Sequence, residues 1–150
     1  MADDEVRLRA ADVADLSAVT AVDPLAGSGE AGRGQLLDRA VREGGCLVAV
    51  DETGVAGFVV SRPGHFFGRD FVELLVVGPD RRREGIGRRL LRAAVVAAGP
   101  GRVFTSTNRT NRPMRALLDA EGWTFSGELV GLDEDDPELV FFTDPARAGH

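Results

Sequence analysis

One stretch limits the architecture more than any other. Residues 71–107 read FVELLVVGPDRRREGIGRRLLRAAVVAAGPGRVFTST. An apolar run with a single charge in it predicts a strand. Ile86, Leu90, Leu91, Ala94 and Val95 then recur at helical spacing, which predicts a helix over 85–98 with one wide apolar face. Gly-Pro-Gly stops that helix, and RVFTST returns as a strand. A strand–helix–strand unit sets its two strands parallel and carries the helix across between them.

The flanking segments add strands of the opposite habit. EVRLRAA alternates and predicts a first strand. Asp12 is an N-cap candidate for a helix through VADLSAVTAV, which Pro24 ends. AGSGEAGRG predicts a loop. QLLDRAVREG predicts a second helix with Leu36, Leu37, Ala40 and Val41 on one face, and Gly44 past its end. CLVAVD and VAGFVVS, separated by ETG, predict a hairpin. RPGHFFGRD predicts a loop before the strand FVELLVV. A short helix is expected over 111–121, followed by Gly122. Two last strands, TFSGELVGL and ELVFFT, flank the acidic turn DEDDP. Hairpin-linked strands around one crossover unit mean a mixed sheet, so the expectation is an α/β (α+β) chain, with residues 1–150 forming a single domain.

Charge narrows the partners. The net charge of −6 suits a cationic partner and disfavours nucleic acid, whose phosphates need a basic surface. All eighteen basic residues are arginine, so the chain offers no lysine for a Schiff base. A codon bias toward Ala, Gly and Arg accounts for that usage, which argues against over-reading any one arginine. Cys46 is the only cysteine and has no internal disulfide partner, which points to a reducing compartment. MADDEVRLRA lacks an apolar signal core, and no apolar run nears the roughly 20 residues of a membrane span. The expectation is a soluble cytoplasmic protein with no membrane association.

The start of the predicted central helix is electrostatically odd. Helix N-termini favour acids, yet Arg81, Arg82, Arg83, Arg88, Arg89 and Arg92 crowd it with Glu84 as the only acid. A bound anion would resolve this. Gly85 and Gly87 permit a sharp turn and close backbone approach, and N–H groups of such turns and helix ends hold phosphates. The third glycine of a dinucleotide fingerprint is replaced by Leu90, and no G-K-[ST] phosphate loop occurs. The plain alternative is a surface arginine cluster.

VELLVVGPDRRREGIGRRLL resembles the acetyl-CoA-binding core of the GNAT family of N-acetyltransferases, whose pattern of Arg or Gln, two residues, Gly, one residue, then Gly or Ala is met by Arg82, Gly85 and Gly87. NRPMRALLDAEGW resembles that family's second motif through Asn111, Gly122 and Trp123. The resemblance implies a mostly antiparallel sheet with flanking helices and a splayed central parallel pair. It implies that the pantetheine arm bonds to backbone around Leu75, Val76 and Val77, and that the pyrophosphate sits on the amides of Arg82, Arg83, Glu84, Gly85, Ile86, Gly87 and Arg88. It further implies that Asn111, or Asn108 in its stead, bonds the cofactor arm. Acetyl-CoA would be the co-substrate, no metal would be needed, and a homodimer would fit the family.

The implied reaction is acetyl transfer to a primary amine by direct attack. Glu73, the one charge in FVELLVV, stands where some relatives carry a base. Partial burial would raise its pKa toward usefulness. An ion pair with an arginine is the competing role. Many relatives place a tyrosine seven residues after the motif asparagine to protonate the leaving thiolate. Leu118 holds that position, and the chain has no tyrosine. His65, expected in the loop before FVELLVV, is either an acid, base or substrate contact or incidental. Cys46 and Trp123 read as core. The acids around Asp135 and Asp136 either attract an amine-bearing acceptor, a cationic small molecule or a peptide or protein amine, or are merely solvated. Two other readings compete: a catalytically weak CoA-binding sensor or partner-binding module, and an interaction domain with an arginine patch.

Overall fold

A computed structural model describes residues 5–26 and 32–144. In chain order its elements are β1 (Arg7–Ala10), α1 (Leu16–Val22), α2 (Arg33–Arg42), β2 (Cys46–Asp51), β3 (Gly54–Phe66), β4 (Arg69–Val77), α3 (Ile86–Ala98), β5 (Val103–Asn108), α4 (Arg112–Ala120), β6 (Thr124–Leu129) and β7 (Glu138–Thr143). The strands make a seven-stranded sheet in the order β1-β2-β3-β4-β5-β7-β6. It is mostly antiparallel and contains the expected parallel pair, β4 with β5. Among the described residues no helix is long and apolar enough to cross a membrane. The described residues divide into two units, one drawn from Met1–Ser61 and Leu74–Ala94, the other from Arg62–Glu73 and Val95–His150.

In the first unit, Asp12 caps as expected, but the turn it caps is a 3₁₀ turn over Val13–Asp15, and the α-helix begins only at Leu16. A closed capping box accounts for the break. The Ala14 N–H donates to Asp12 Oδ1 at 2.9 Å, and the Asp12 N–H donates to Asp15 Oδ2 at 2.8 Å. Arg9 then grips the same Asp15 carboxylate at 2.7 Å. Of the expected AGSGEAGRG loop, residues 27–31 lie outside the described residues, and Arg33 and Gly34 already belong to α2. β2 and β3 pair as the predicted hairpin, from Cys46↔Val60 to Asp51↔Gly54. Val19, Leu37, Ala40 and Val41 pack onto Cys46, Val48, Val50, Phe58 and Val60, with Leu74 and Val76 of β4 joining them. Each fully buried Val, Leu or Phe here contributes about 1.5–3 kcal/mol over an exposed one.

The second unit corrects the sequence reading. RPGHFFGRD is not a loop: β3 runs to Phe66, β4 starts at Arg69, and only Phe67 and Gly68 turn the chain. His65 therefore lies on a strand. Pro63, Gly64 and Gly68 are local breaker signals. What overrides them is cross-strand: Phe66 stacks on Phe71 at 5.0 Å, and the Gly64 N–H donates to Asp70 Oδ1 at 2.9 Å. β4 and β5 pair through Asp70↔Val103, Phe71↔Phe104 and Val72↔Thr105. The buried Thr105 hydroxyl reinforces the ladder by donating to the Val72 carbonyl at 2.8 Å. β7 lies antiparallel between β5 and β6. β6 ends at Leu129, before the predicted end of its strand. The following turn is drawn back instead onto the connection between β5 and α4, as described below.

Candidate functional site

In the first unit, the glycine–arginine stretch is anchored before it turns. The Gly78 N–H donates to the Ala56 carbonyl at 2.8 Å, and a 3₁₀ turn over Pro79–Arg81 follows. Arg82 is extended at φ −72°, ψ 155°. Arg83 and Gly85 both take left-handed conformations, at φ +70° and +80°, and Glu84 between them does not. Alternating backbone of this kind can turn successive N–H groups toward one side, a geometry that suits an anion. α3 starts immediately after it, with the Arg89 N–H bonded to the Gly85 carbonyl at 3.1 Å. Its first-turn N–H groups have no intrahelical acceptors and carry the positive end of the helix dipole. Glycine is favoured at 85 by conformation and not by crowding, since a Cβ there would meet nothing within 4 Å. Arg83 holds its left-handed φ at a cost of about 1–2 kcal/mol.

The arginines divide by task, which the sequence did not reveal. Arg81 faces inward to this unit: its guanidinium lies 2.7 Å from Asp51 and 3.0 Å from Glu84, and it reaches the Thr53 hydroxyl at 3.4 Å. It thereby pairs with Glu84 and ties the stretch to the β2–β3 turn. The Thr53 hydroxyl, Arg81 and the Thr53 N–H together hold the Asp51 carboxyl down at about 2. Glu84, and then Asp51, raise Arg81 further above its ordinary value. Arg89 donates to the Val6 carbonyl at 2.9 Å. Arg82 and Arg83 are exposed, and among the described residues their side chains have no partner. The D-x-T sequence at 51–53 is the one local sign of this clamp.

Leu75, Val76 and Val77 are half-buried on β4. Gly57 of β3 lies so close that a Cβ there would sit 2.7 Å from the Val76 carbonyl oxygen. Close backbone packing thus fixes the position of that end of β4 within the first unit.

In the second unit, Glu73 follows directly on the last β4–β5 pair. Its side chain is 23% exposed, and its Oε2 is 3.9 Å from Arg62, too far for a hydrogen bond. Its Oε1 is buried and has no hydrogen-bond partner among the described residues. A buried carboxylate oxygen without a donor is costly unless water or a ligand supplies one. Both sequence readings thus have structural content, an ion pair and an available acceptor.

Asn111 caps α4, accepting from the Met114 N–H at 3.2 Å. Asn108 donates to the Asp133 carboxylate at 2.9 Å and to the Asp136 carbonyl at 3.2 Å. Asp136 accepts from the Thr110 hydroxyl at 2.6 Å and from its N–H at 3.2 Å. The acidic turn is thus built onto the β5–α4 connection, with Asp136 occupied in holding it. Asp135 is exposed at φ +61°, with no side-chain partner among the described residues. His65 is exposed on β3 and likewise has no such partner. Leu118 is wholly buried and Trp123 nearly so. Cys46 is wholly buried, and burial pushes its thiol up to about 12, so it is no nucleophile.

Comparison with known proteins places these features in context. A family profile described as "Acetyltransferase (GNAT) family" matches residues 20–123. A GNAT family acetyltransferase from Bacillus cereus is similar in structure, with a TM-score of 0.85 and 28% identity over 93% of this chain and 97% of that one. The Salmonella typhimurium protein yncA, solved with its cofactor acetyl-CoA, has a TM-score of 0.73 and 20% identity over 93% of each chain. Arabidopsis thaliana NAA60, solved with a bisubstrate analogue, has a TM-score of 0.75 and 16% identity over 93% of this chain and 98% of that one. Among curated proteins, none matches the chain at a significant level.

Proposed function

The chain belongs to the GNAT family of acetyltransferases, and from that premise we propose that it moves an acetyl group from acetyl-CoA to a primary amine by direct attack. The observation that carries the reading is the left-handed pair Arg83 and Gly85 opening α3. That backbone supports a pyrophosphate on the amides of Arg82 to Arg88, with Arg82 and Arg83 countering its charge. The half-buried Leu75, Val76 and Val77 are the proposed contacts of the pantetheine arm, with Asn111 as a further one.

In the proposed reaction the neutral amine attacks the thioester carbonyl carbon. The C–N bond forms, the C–S bond breaks, and the thiolate of CoA departs with the electron pair. Glu73 takes the amine proton, directly or through a water; its partnerless Oε1 supports that role. A thiol of pKa about 8.5 leaves without full protonation, which accommodates Leu118 at the family's tyrosine position. The buried Leu118 also supports the second reading, a CoA-binding sensor of weak activity.

Two measurements separate the readings. Saturating acetyl-CoA should raise the melting temperature, by about 2.7 kcal/mol of stability at a hundred times the dissociation constant. Gly87→Glu should abolish the rise, because it sets bulk and negative charge at the phosphate site. No shift in wild type at millimolar acetyl-CoA rejects the cofactor site. A panel of amines assayed for CoA release then distinguishes enzyme from sensor.

A further inference from the structure

We propose that the second unit carries a binding site for a small aromatic carboxylate, between the β3–β4 turn and the start of β5. The inference does not depend on acetyl transfer. A cavity of about 300 Å³ is lined there by Phe66, Phe67, Arg69, Arg102 and Phe104. That volume is at the lower end of small-molecule sites, which suits one fused ring system.

Three features point to this ligand chemistry. The first is the aromatic wall. Phe66 packs against Phe67 edge-on at 5.0 Å, stacks on Phe71 at 5.0 Å and meets Phe104 at 5.2 Å. The rings brace one another and present faces and edges to an aromatic guest. The second is charge. Two exposed arginines, Arg69 and Arg102, line the cavity, and among the described residues neither has a carboxylate partner. Asp70, beside Arg69 in sequence, spends its carboxylate on the Gly64 N–H. Arg102 is stacked over the Phe142 ring at 4.6 Å, which restrains a side chain whose planar fork suits a carboxylate. In a chain of net charge −6, this cationic patch stands out.

The third feature is Phe67 itself. It is 91% exposed and sits at φ +51°, followed by Gly68 at φ +80°. Those signs are those of a type I′ hairpin turn, whose first position favours Asn, Asp or Gly. A bulky ring in that place is unfavourable twice over, by conformation and by exposure. Stability alone would select Asn there. A ring displayed at the cavity rim has a reason to stay if it covers a ligand.

Calorimetric titration of the full chain with 2-naphthoate, 2-naphthamide and acetate tests the proposal. The naphthoate should bind at about 1 mM or tighter. The amide should bind at least roughly tenfold more weakly, because the charged hydrogen bonds are lost, and acetate should not bind detectably. Phe67→Asn should melt no lower than wild type, because Asn suits the turn, yet weaken the naphthoate about tenfold. Arg102→Gln should weaken it similarly. Binding should persist in saturating acetyl-CoA. Absence of naphthoate binding, equal affinity for acid and amide, an unaltered Phe67→Asn, or displacement by acetyl-CoA would each overturn the site.

Discussion

At the residue scale, the proposed base is Glu73. It is legible in the sequence as the one charge in an apolar run, and the structure gives it one oxygen near Arg62 and one with no donor. Arg62 as the neighbour is not legible, because the pairing arises from two strands folding together and leaves no local pattern. Glu73→Gln keeps the shape and removes the proposed base. Turnover should fall roughly a hundredfold or more, the usual size of a general-base contribution, while acetyl-CoA still raises the melting temperature as in wild type. Full turnover in that variant at neutral pH would reduce Glu73 to an ion-pair partner. Asn111 carries the opposite lesson: the sequence marks it as both cap and cofactor contact, and its side-chain oxygen is bonded to the Met114 N–H.

At the element scale, the strand–helix–strand unit is readable because each part has its own periodicity and punctuation. The β3–β4 hairpin is not, because Pro63, Gly64 and Gly68 speak locally while the Phe66–Phe71 stack forms only across strands. The clamp between the β2–β3 turn and the start of α3 is hidden for the same reason. It also has a pH signature. Asp51 is held at about 2, below an unfolded value of about 3.9. A depressed carboxyl stabilises the fold fully above its unfolded pKa, and this contribution is lost as pH falls through the folded value. The melting temperature of wild type should therefore exceed that of Asp51→Asn by a constant margin above about pH 5, and the margin should shrink between about pH 4 and pH 2. Parallel melting curves across that range would show that Thr53 and Arg81 do not hold the Asp51 carboxyl down.

At the scale of the whole molecule, composition bears on the proposed acceptor through charge. The net charge of −6 and the exposed Asp135 favour a cationic amine. Exposed charges are screened over about 10 Å at 0.1 M salt, so the acceptor KM should rise with salt. Asp135→Asn should raise it at low salt, without a change in acetyl-CoA affinity. If Asp135→Asn and wild type have equal acceptor KM and equal salt response, the turn is only a solvated corner. The order of the sheet is beyond such reasoning. That β7 slips between β5 and β6 follows from long-range pairing, to which the alternation of ELVFFT is indifferent.

The burial of Cys46 has a practical consequence for sulfur accounting. The chain has a single thiol, fully enclosed and with its ionisation pushed up to about 12. A colourless disulfide dye that yellows on meeting a free sulfhydryl should therefore ignore the folded protein. Every equivalent of colour in a reaction mixture then counts one CoA set free, with no background from the catalyst. In denaturant without substrate, the same dye becomes a one-site clock for opening of the fold around Cys46, since the folded chain keeps that sulfur enclosed.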